Sequence, residues 1–294
     1  MVYESVIMST MGGQKQRPIN RLQALLPEGR LTTTAWLGSH GYSRQLVAKY
    51  VKAGWLQAVA HGVYRRPGPP FKWQHVVASL SALLDDPPHV GGLSALELRG
   101  YAHFLKPRGA QEIHLYAKSA LPAWVSAVPL REKLVLHRDR LFETAAAKRG
   151  EAGLVGRGES GCPESTDAFR QTLTAEPWGE WDWEILYSTP ERAILELLEQ
   201  VPQRESVIHA DAVIAGLADL SSTRMVVLLA ACRSIKVKRL FLALAGRHRH
   251  GWIPRVQEAV NRGEFDLGRG KRVLVPGGRL HPRYLITLPP ELSV

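Results

Sequence analysis

Arg44, Gln45, Lys49 and Lys52 are the residues of this chain whose types and spacing point most directly to a chemistry. Arginine presents a planar fork that pairs with guanine through two hydrogen bonds, and glutamine does the same with adenine. Lysines one and two turns further along a helix suit phosphate oxygens, which fix register on a duplex without reading its sequence. The chemistry is non-covalent recognition of double-stranded DNA by a helix in the major groove.

A helix has to carry these residues. Ser43 is a suitable N-cap, and Gly41 suits the turn before it. Leu46, Val47, Tyr50 and Val51 recur at i, i+1, i+4 and i+5, which predicts one apolar face on a helix from Ser43 to Ala53. The opposite face carries Arg44, Gln45, Ala48, Lys49 and Lys52, and Gly54 suits the C′ position. Upstream, Thr32 to Thr34 form a cap region for a helix carrying Ala35, Trp36 and Leu37 before Gly38. Before that, Ile19, Leu22, Leu25 and Leu26 make an amphipathic turn ended by Pro27. Downstream, Trp55 to Ala60 and Val63 to Arg66 are strand-like runs around a tight turn at His61-Gly62. The order is that of a winged helix-turn-helix. The expected DNA-facing set is Thr33, Ser43, Arg44, Gln45, Lys49, Lys52 and His61, with Arg65 and Arg66 on the wing near phosphates.

The plainer alternative is a small helical domain with a solvated basic face. Charge placement argues against it. Residues 1 to 75 hold ten Lys and Arg against two Glu, a net +8 within a whole-chain excess of +11. A pI near 9.9 favours polyanionic partners, nucleic acid first and an anionic membrane surface second. No apolar run approaches the roughly 20 residues of a membrane span, so no membrane partner is expected. The first residues lack a signal peptide's apolar core, which suits a cytoplasmic protein. Met1, Met8 and Met11 are alternative starts, and residues 1 to 16 are expected to be flexible. Cys162 and Cys232 are too few and too far apart for a disulfide scaffold or a cysteine zinc site.

At 294 residues the chain suits about two domains. The fold class expected is α+β: a winged helix-turn-helix over residues 1–70, then a larger mixed α/β domain over 71–294. Pro67-Gly68-Pro69-Pro70 forms the junction. Helices are predicted from Trp73 to Leu84, from Gly91 to Leu98, from Pro190 to Gln200, from Ser206 to Leu217, from Ser222 to Cys232 and from Ser234 to Ala245. Glu112 to Ala117, Lys133 to Leu136 and Glu184 to Tyr187 read as strands. The stretch from Arg149 to Asp167 has no periodicity and reads as a loop or insertion. Near the end, Lys271 to Val275 and Tyr284 to Thr287 read as a hairpin about Gly277-Gly278.

Other chemistries find little support. Gly268-Arg269-Gly270-Lys271 lacks phosphate-loop spacing and a following helix. His248 and His250 have no further metal ligands, and no HExxH, Cys/His array or GxSxG elbow occurs, so no catalytic residue, metal or cofactor is expected. Arg233, Lys236, Lys238, Arg239 and Arg247 make a second basic cluster, either a solvated face or a site for nucleic acid, a nucleotide or an acidic partner. Glu191, Glu196 and Glu199 read as surface or ion-paired carboxylates, and Trp178, Trp181 and Trp183 as packing residues.

The basic N-terminal unit, GGLSALELRGYA, STPERAILELLEQVP, SIKVKRLFLALAGRH and DLGRGKRVLVPGGRLHPRYLITLP together resemble the AbiEi family of bacterial antitoxins, over roughly residues 17 to 291. The resemblance implies an antitoxin of a bicistronic toxin–antitoxin module associated with abortive phage infection. It implies that the N-terminal domain binds inverted repeats in the module's own promoter and represses it. It also implies that the C-terminal domain counteracts a nucleotidyltransferase-like toxin, without need of a stable complex. Carried onto this chain, Ser43, Arg44, Gln45, Lys49 and Lys52 are the recognition helix, with Arg65 and Arg66 on the wing. The rival readings are a module that sequesters a toxin directly, an enzyme acting on nucleotide or phosphoryl groups, and a regulator that senses a small ligand.

Overall fold

The computed structural model describes residues 17–101, 111–143, 171–180 and 183–292. The expectations about residues 1–16, the loop at 149–167, Cys162 and Trp181 lie outside them. The chain divides into two units, one ending at Phe71 and one beginning at Lys72.

The first unit is helical with a small sheet. α1 (Pro18–Leu25) starts on a proline, whose missing N–H has no helical partner at that position anyway. β1 (Leu31–Thr33), α2 (Thr34–Ser39), α3 (Arg44–Lys52), β2 (Gln57–Ala60) and β3 (Val63–Arg65) follow. The strands form an antiparallel sheet in the order β1-β3-β2, with Leu31 opposite Arg65 and Gln57 also opposite Arg65. Leu22, Leu26, Leu37, Tyr42, Val47 and Leu56 make its core. Two details depart from the sequence reading. Thr32 is buried in β1 instead of capping a helix, as suits a β-branched residue on a half-buried strand. Trp55 opens no strand: its N–H and that of Gly54 close the end of α3 onto Tyr50 and Val51 carbonyls at 2.9 and 3.1 Å. Gly54 takes φ +76°, so this is a Schellman cap that needs a glycine.

The second unit is built on a five-stranded mixed sheet. Its strands are β4 (His89–Val90), β5 (Glu112–Ala117), β6 (Lys133–Arg138), β7 (Leu173–Trp178) and β8 (Trp183–Ser188), ordered β6-β5-β4-β8-β7. β5 runs parallel to β6 and β4 to β8, while the β4–β5 and β7–β8 pairs are antiparallel. α4 (Trp73–Leu83) packs Trp73, Val77 and Ala78 on Val90, Ile113, Leu115 and Ile185. Strand alternation sends His114 and Tyr116 to the opposite face. There α5 (Gly92–Leu98) and α6 (Pro190–Glu199) lie, followed by α7 (Val207–Ala215), α8 (Ser222–Ala231), α9 (Ile235–Ala245) and α10 (Ile253–Asn261). A large apolar cluster joins these helices through Leu96, Ile194, Leu198, Leu228, Leu240 and Phe241. The C-terminal hairpin differs from expectation. β9 (Arg279–Leu280) pairs with β10 (Thr287–Leu288), and residues 271–275 form no strand beyond a bridge of Arg272 to Ile286. Val273 stands out to solvent at 69% exposure, which a two-sided apolar strand would not allow.

α6 is buried nearly all round, yet it carries Glu191, Arg192 and Glu196. Buried charges survive only when paired and hydrogen-bonded. Glu196 Oε1 accepts from Arg192 Nε at 2.7 Å and meets His89 Nε2 at 2.9 Å. Glu196 Oε2 accepts from Ser188 Oγ at 2.8 Å and from the Gly92 N–H at 2.9 Å. Arg192 also donates to Asp139 at 2.8 Å and faces the Phe142 ring. Gly91 is required at this contact, because a Cβ there would lie 2.2 Å from Glu196 Oε2. Stacked rings of His89, Tyr116, His137 and His114 continue the polar column, ending in a 2.9 Å contact between His114 Nδ1 and His137 Nε2. Glu191 instead accepts from Ser221 N–H and Arg224 at 2.7 and 2.9 Å, tying α6 to the start of α8.

Burial alone would raise the Glu196 carboxyl, but its interactions with His89 and Arg192 outweigh that and hold it at about 2. Burial, then the neighbouring His114 and Arg204, push the His137 imidazole down to about 4. The Glu196 contribution to stability is fully present above its ordinary 4.5 and fades as pH falls toward 2. His137 resists a proton that the unfolded chain accepts, so its contribution fades from 6.5 down toward 4. Acidification is expected to lower stability through both windows in turn. Glu196→Gln, which leaves the buried Arg192 with Asp139 as its remaining charge partner, should cost about 3–5 kcal/mol at neutral pH and abolish the lower window. Urea titrations across the acid range check this, and an unchanged acid profile in the variant would refute it.

Candidate nucleic-acid interface

α3 is shaped by its two ends. Ser43 Oγ accepts from Leu46 N–H at 3.3 Å, and the Schellman cap closes the other end. Between them Val47 is buried, Leu46, Tyr50 and Val51 are half-buried against the core, and Arg44, Gln45, Ala48, Lys49 and Lys52 are exposed. The turn before α3 is fixed by Gly41 at φ +86° and by Tyr42, whose hydroxyl donates to Pro18 O at 3.1 Å. Thr33 caps α2, its hydroxyl accepting from Trp36 N–H at 3.2 Å. Trp36 stacks on His40 at 3.8 Å, stiffening the short helix. Thr34, Ala35, Gly38, Gly41, Tyr42, Ser43 and Arg44 line an open hollow of about 710 Å³ at the α2–α3 turn.

The expected interface residues separate into two groups. Ser43, Arg44, Gln45, Lys49 and Lys52 share the exposed side of α3, and His61 is exposed at the β2–β3 turn. Gly62 beside it takes φ +71°, and its carbonyl accepts from the Thr34 N–H and hydroxyl at 2.9 and 3.2 Å, so the turn is anchored to α2. Arg65 and Arg66, expected on a wing, are engaged inside the unit. Arg65 donates to Gln57 Oε1 at 2.9 Å and to Pro69 O at 3.3 Å, and it lies over the Phe71 ring. Arg66 donates to Gln23 O and Leu26 O and pairs with Glu28. Among the described residues, Arg17, Arg21, Arg44, Lys49 and Lys52 are exposed and make no ion pair. By sequence alone Arg17 and Arg21 enter only the charge balance. The available signal is their place beside the apolar turn of Ile19, Leu22, Leu25 and Leu26, Arg17 at the N-cap of α1 and Arg21 within it.

The second basic cluster is not one surface. Lys238 and Arg239 are buried. Lys236 Nζ donates to the carbonyls of Glu199 and Val201 at 2.6 and 2.7 Å, and burial pushes its amine down. Arg239 donates to the carbonyls of Leu267, Gly270 and Leu285. Arg247 donates to Leu292 O and lies 3.3 Å from Asp211. Arg233 alone is exposed, 3.6 Å from Glu143. Lys236, Arg239 and Arg247 sit at carbonyl-rich helix and loop ends, where long basic side chains satisfy main-chain acceptors. Sequence spacing could not separate that role from a solvated face.

No group of three His, Cys, Asp or Glu side chains among the described residues is arranged for a metal ion. His248 and His250 bond instead to Asp211 and to the Ile214 carbonyl. The helix of a phosphate loop does not follow Gly268-Arg269-Gly270-Lys271. Trp178 and Trp183 are half-buried against the edge of His75. No helix among the described residues is long and apolar enough to cross a membrane.

Residues 110–289 match a family model described as "Transcriptional regulator, AbiEi antitoxin, Type IV TA system". Residues 15–107 match one described as "Transcriptional regulator, AbiEi antitoxin N-terminal domain". No curated protein matches the chain. Among solved structures, the crystal structure of the RV2827C protein from Mycobacterium tuberculosis is similar over 91% of this chain and 88% of that chain, with a TM-score of 0.49 and 14% identity.

The Ser43 cap gives a direct test of how α3 is held. Ser43→Ala should lower the stability of the first unit by about 1 kcal/mol, as loss of an N-cap does. Calorimetry on the full chain reads this, and an unmoved transition would mean that the cap hydrogen bond contributes nothing.

Proposed function

The chain belongs to the AbiEi antitoxin family, transcriptional regulators of type IV toxin–antitoxin systems, and on that premise we propose that it represses its own promoter. In this reading the first unit, ending at Phe71, is a winged helix-turn-helix that lays α3 in the major groove. The observation that carries it is the division of α3. Arg44, Gln45, Lys49 and Lys52 project from one side without ion-pair partners, while Val47 anchors the other side in the core. Arg44 and Gln45, at the N-terminal end of α3, read base edges, as recognition-helix geometry favours. Lys49 and Lys52 contact phosphate. Thr33, Ser43 and His61 flank them and add contacts to the sugar–phosphate backbone. Two copies occupy inverted repeats.

The second unit, beginning at Lys72, is in this reading the antitoxin domain. It counteracts a nucleotidyltransferase-like toxin without catalysis of its own and without a lasting complex. The chain acts in the cytoplasm, where its operator lies. The burial of Lys238 and Arg239 supports a non-enzymatic reading, because it removes the phosphate-holding patch that an enzyme would have used.

Fluorescence anisotropy with DNA from immediately upstream of the chain's own gene, against scrambled DNA over a salt series, tests the proposal. Selective binding with a steep salt dependence is expected, and equal weak binding to both would end the regulator reading. Lys52→Ala should weaken binding to all sequences alike and lower the salt slope by about one. Arg44→Ala should cost about 1–3 kcal/mol and relax sequence preference. An Arg44 variant with undiminished preference would show that this side chain reads no base.

A further inference from the structure

We propose that Arg66 is a positioning residue that locks the wing to the helix behind α3, so that wing and α3 meet DNA as one rigid body. The inference rests on the DNA-binding reading above and departs from the phosphate contact expected of this residue.

The geometry is specific. Arg66 Nη1 donates to Gln23 O at 3.2 Å and to Leu26 O at 3.1 Å, carbonyls at the C-terminal end of α1. The last carbonyls of a helix have no partner within it, and the dipole makes that end favourable for a cation. Arg66 Nη2 meets Glu28 at 3.1 Å, and the side chain is only 16% exposed. Its charge is therefore matched and largely withdrawn from solvent. The main chain joins the same contact: Gly29 N–H lies 3.4 Å from Arg66 O. The chain leaving the wing passes so close that a Cβ on Gly68 would sit 3.0 Å from Gly29 N.

What Arg66 grips is coupled to α3. α1 buries Leu22, and the chain just after it buries Leu26, in the cluster that holds Val47 of α3 and Leu56 at the entry to the wing. β3, which ends at Arg65, thus leads straight into a clamp on the helix that supports the reading helix. Without the clamp the apolar core still holds α1 and α3 together, and the β1–β3 pairing and the Gly62–Thr34 bonds still tether the tip of the wing, but its C-terminal end loses its hold on α1 and the wing can tilt relative to α3. Sequence-selective binding needs both elements in register on the duplex, whereas non-specific binding needs only their charge. A lysine keeps the charge but cannot reproduce the planar fork that reaches two carbonyls and a carboxylate together.

The test uses the full chain and two variants, Arg66→Lys and Arg66→Gln, with Lys52→Ala as the phosphate-contact reference. Affinity for DNA from upstream of the chain's own gene and for scrambled DNA is measured by anisotropy over a salt series. The temperature is one at which circular dichroism shows each variant folded. Both Arg66 variants are expected to lose about tenfold in the ratio of the two affinities, the scale of one charge-assisted hydrogen bond, with the salt slope unchanged. Lys52→Ala should lower the slope by about one and keep the ratio. Restoration of the ratio by lysine, or a slope reduced by about one in Arg66→Gln, would make Arg66 a phosphate ligand and overturn the proposal. A lowered melting temperature with an intact ratio would reduce Arg66 to a structural residue and overturn it as well. A wild-type chain that does not discriminate between the two DNAs would remove the DNA reading, and this inference with it.

Discussion

The second unit depends on a carboxylate buried to 1% exposure. Glu196 sits on a helix with apolar neighbours on every side, and its two oxygens take four partners from β4, β8, α5 and its own helix. Placing a charge there is costly, and only a complete set of partners offsets the cost. Each partner therefore constrains an element. His89 fixes β4, Ser188 the end of β8, the Gly92 N–H the start of α5, and Arg192 carries the link on to Asp139. A purely apolar core could slide by a turn or a register. This one has a defined arrangement, because a slip would strand a buried charge.

The same reasoning explains the most distinctive stretches of the sequence. GGLS has paired glycines because the carboxylate and the Tyr116 ring both press on that turn: Gly92 takes φ +53°, and a Cβ there would lie 2.7 Å from the Tyr116 hydroxyl. STPERA combines a strand end, a helix start and two of the buried charges. In the first unit Gly54 and Gly62 serve backbone direction instead, taking φ +76° and +71° at the end of α3 and at the β2–β3 turn. The two units are built alike in one respect. Apolar residues supply the mass of the core, and a small number of polar contacts across long sequence separations settle its geometry.

Local signals made much of this legible. The period of Leu46, Val47, Tyr50 and Val51, with Ser43 and Gly54 at the ends, located α3 to within a residue. Pro190 after a hydroxyl pair located α6 as well. What stayed hidden was long-range. Sequence cannot say that Arg66 reaches back to Gln23, or that Lys236 and Arg239 turn inward to carbonyls, because nothing in their neighbours differs from an exposed basic run. β4 has only two residues and no pattern to find. β7 contains Glu176 and Pro177, which disguise an edge strand as a loop. Lys271 to Val275 has the composition of a hairpin strand, yet the pairing is made further along at Arg279 and Leu280.

Arg239 leaves a mark beyond its own contacts. Its guanidinium holds three main-chain carbonyls from the inside and asks nothing of the side chains outside. Arg269, Lys271 and Arg272, which project from that stretch, are exposed. A backbone braced from within leaves its outward residues free to change in identity and charge while the path of the chain stays put. Substitutions at Arg269, Lys271 and Arg272 can therefore alter the charge of this surface without disturbing the domain beneath it.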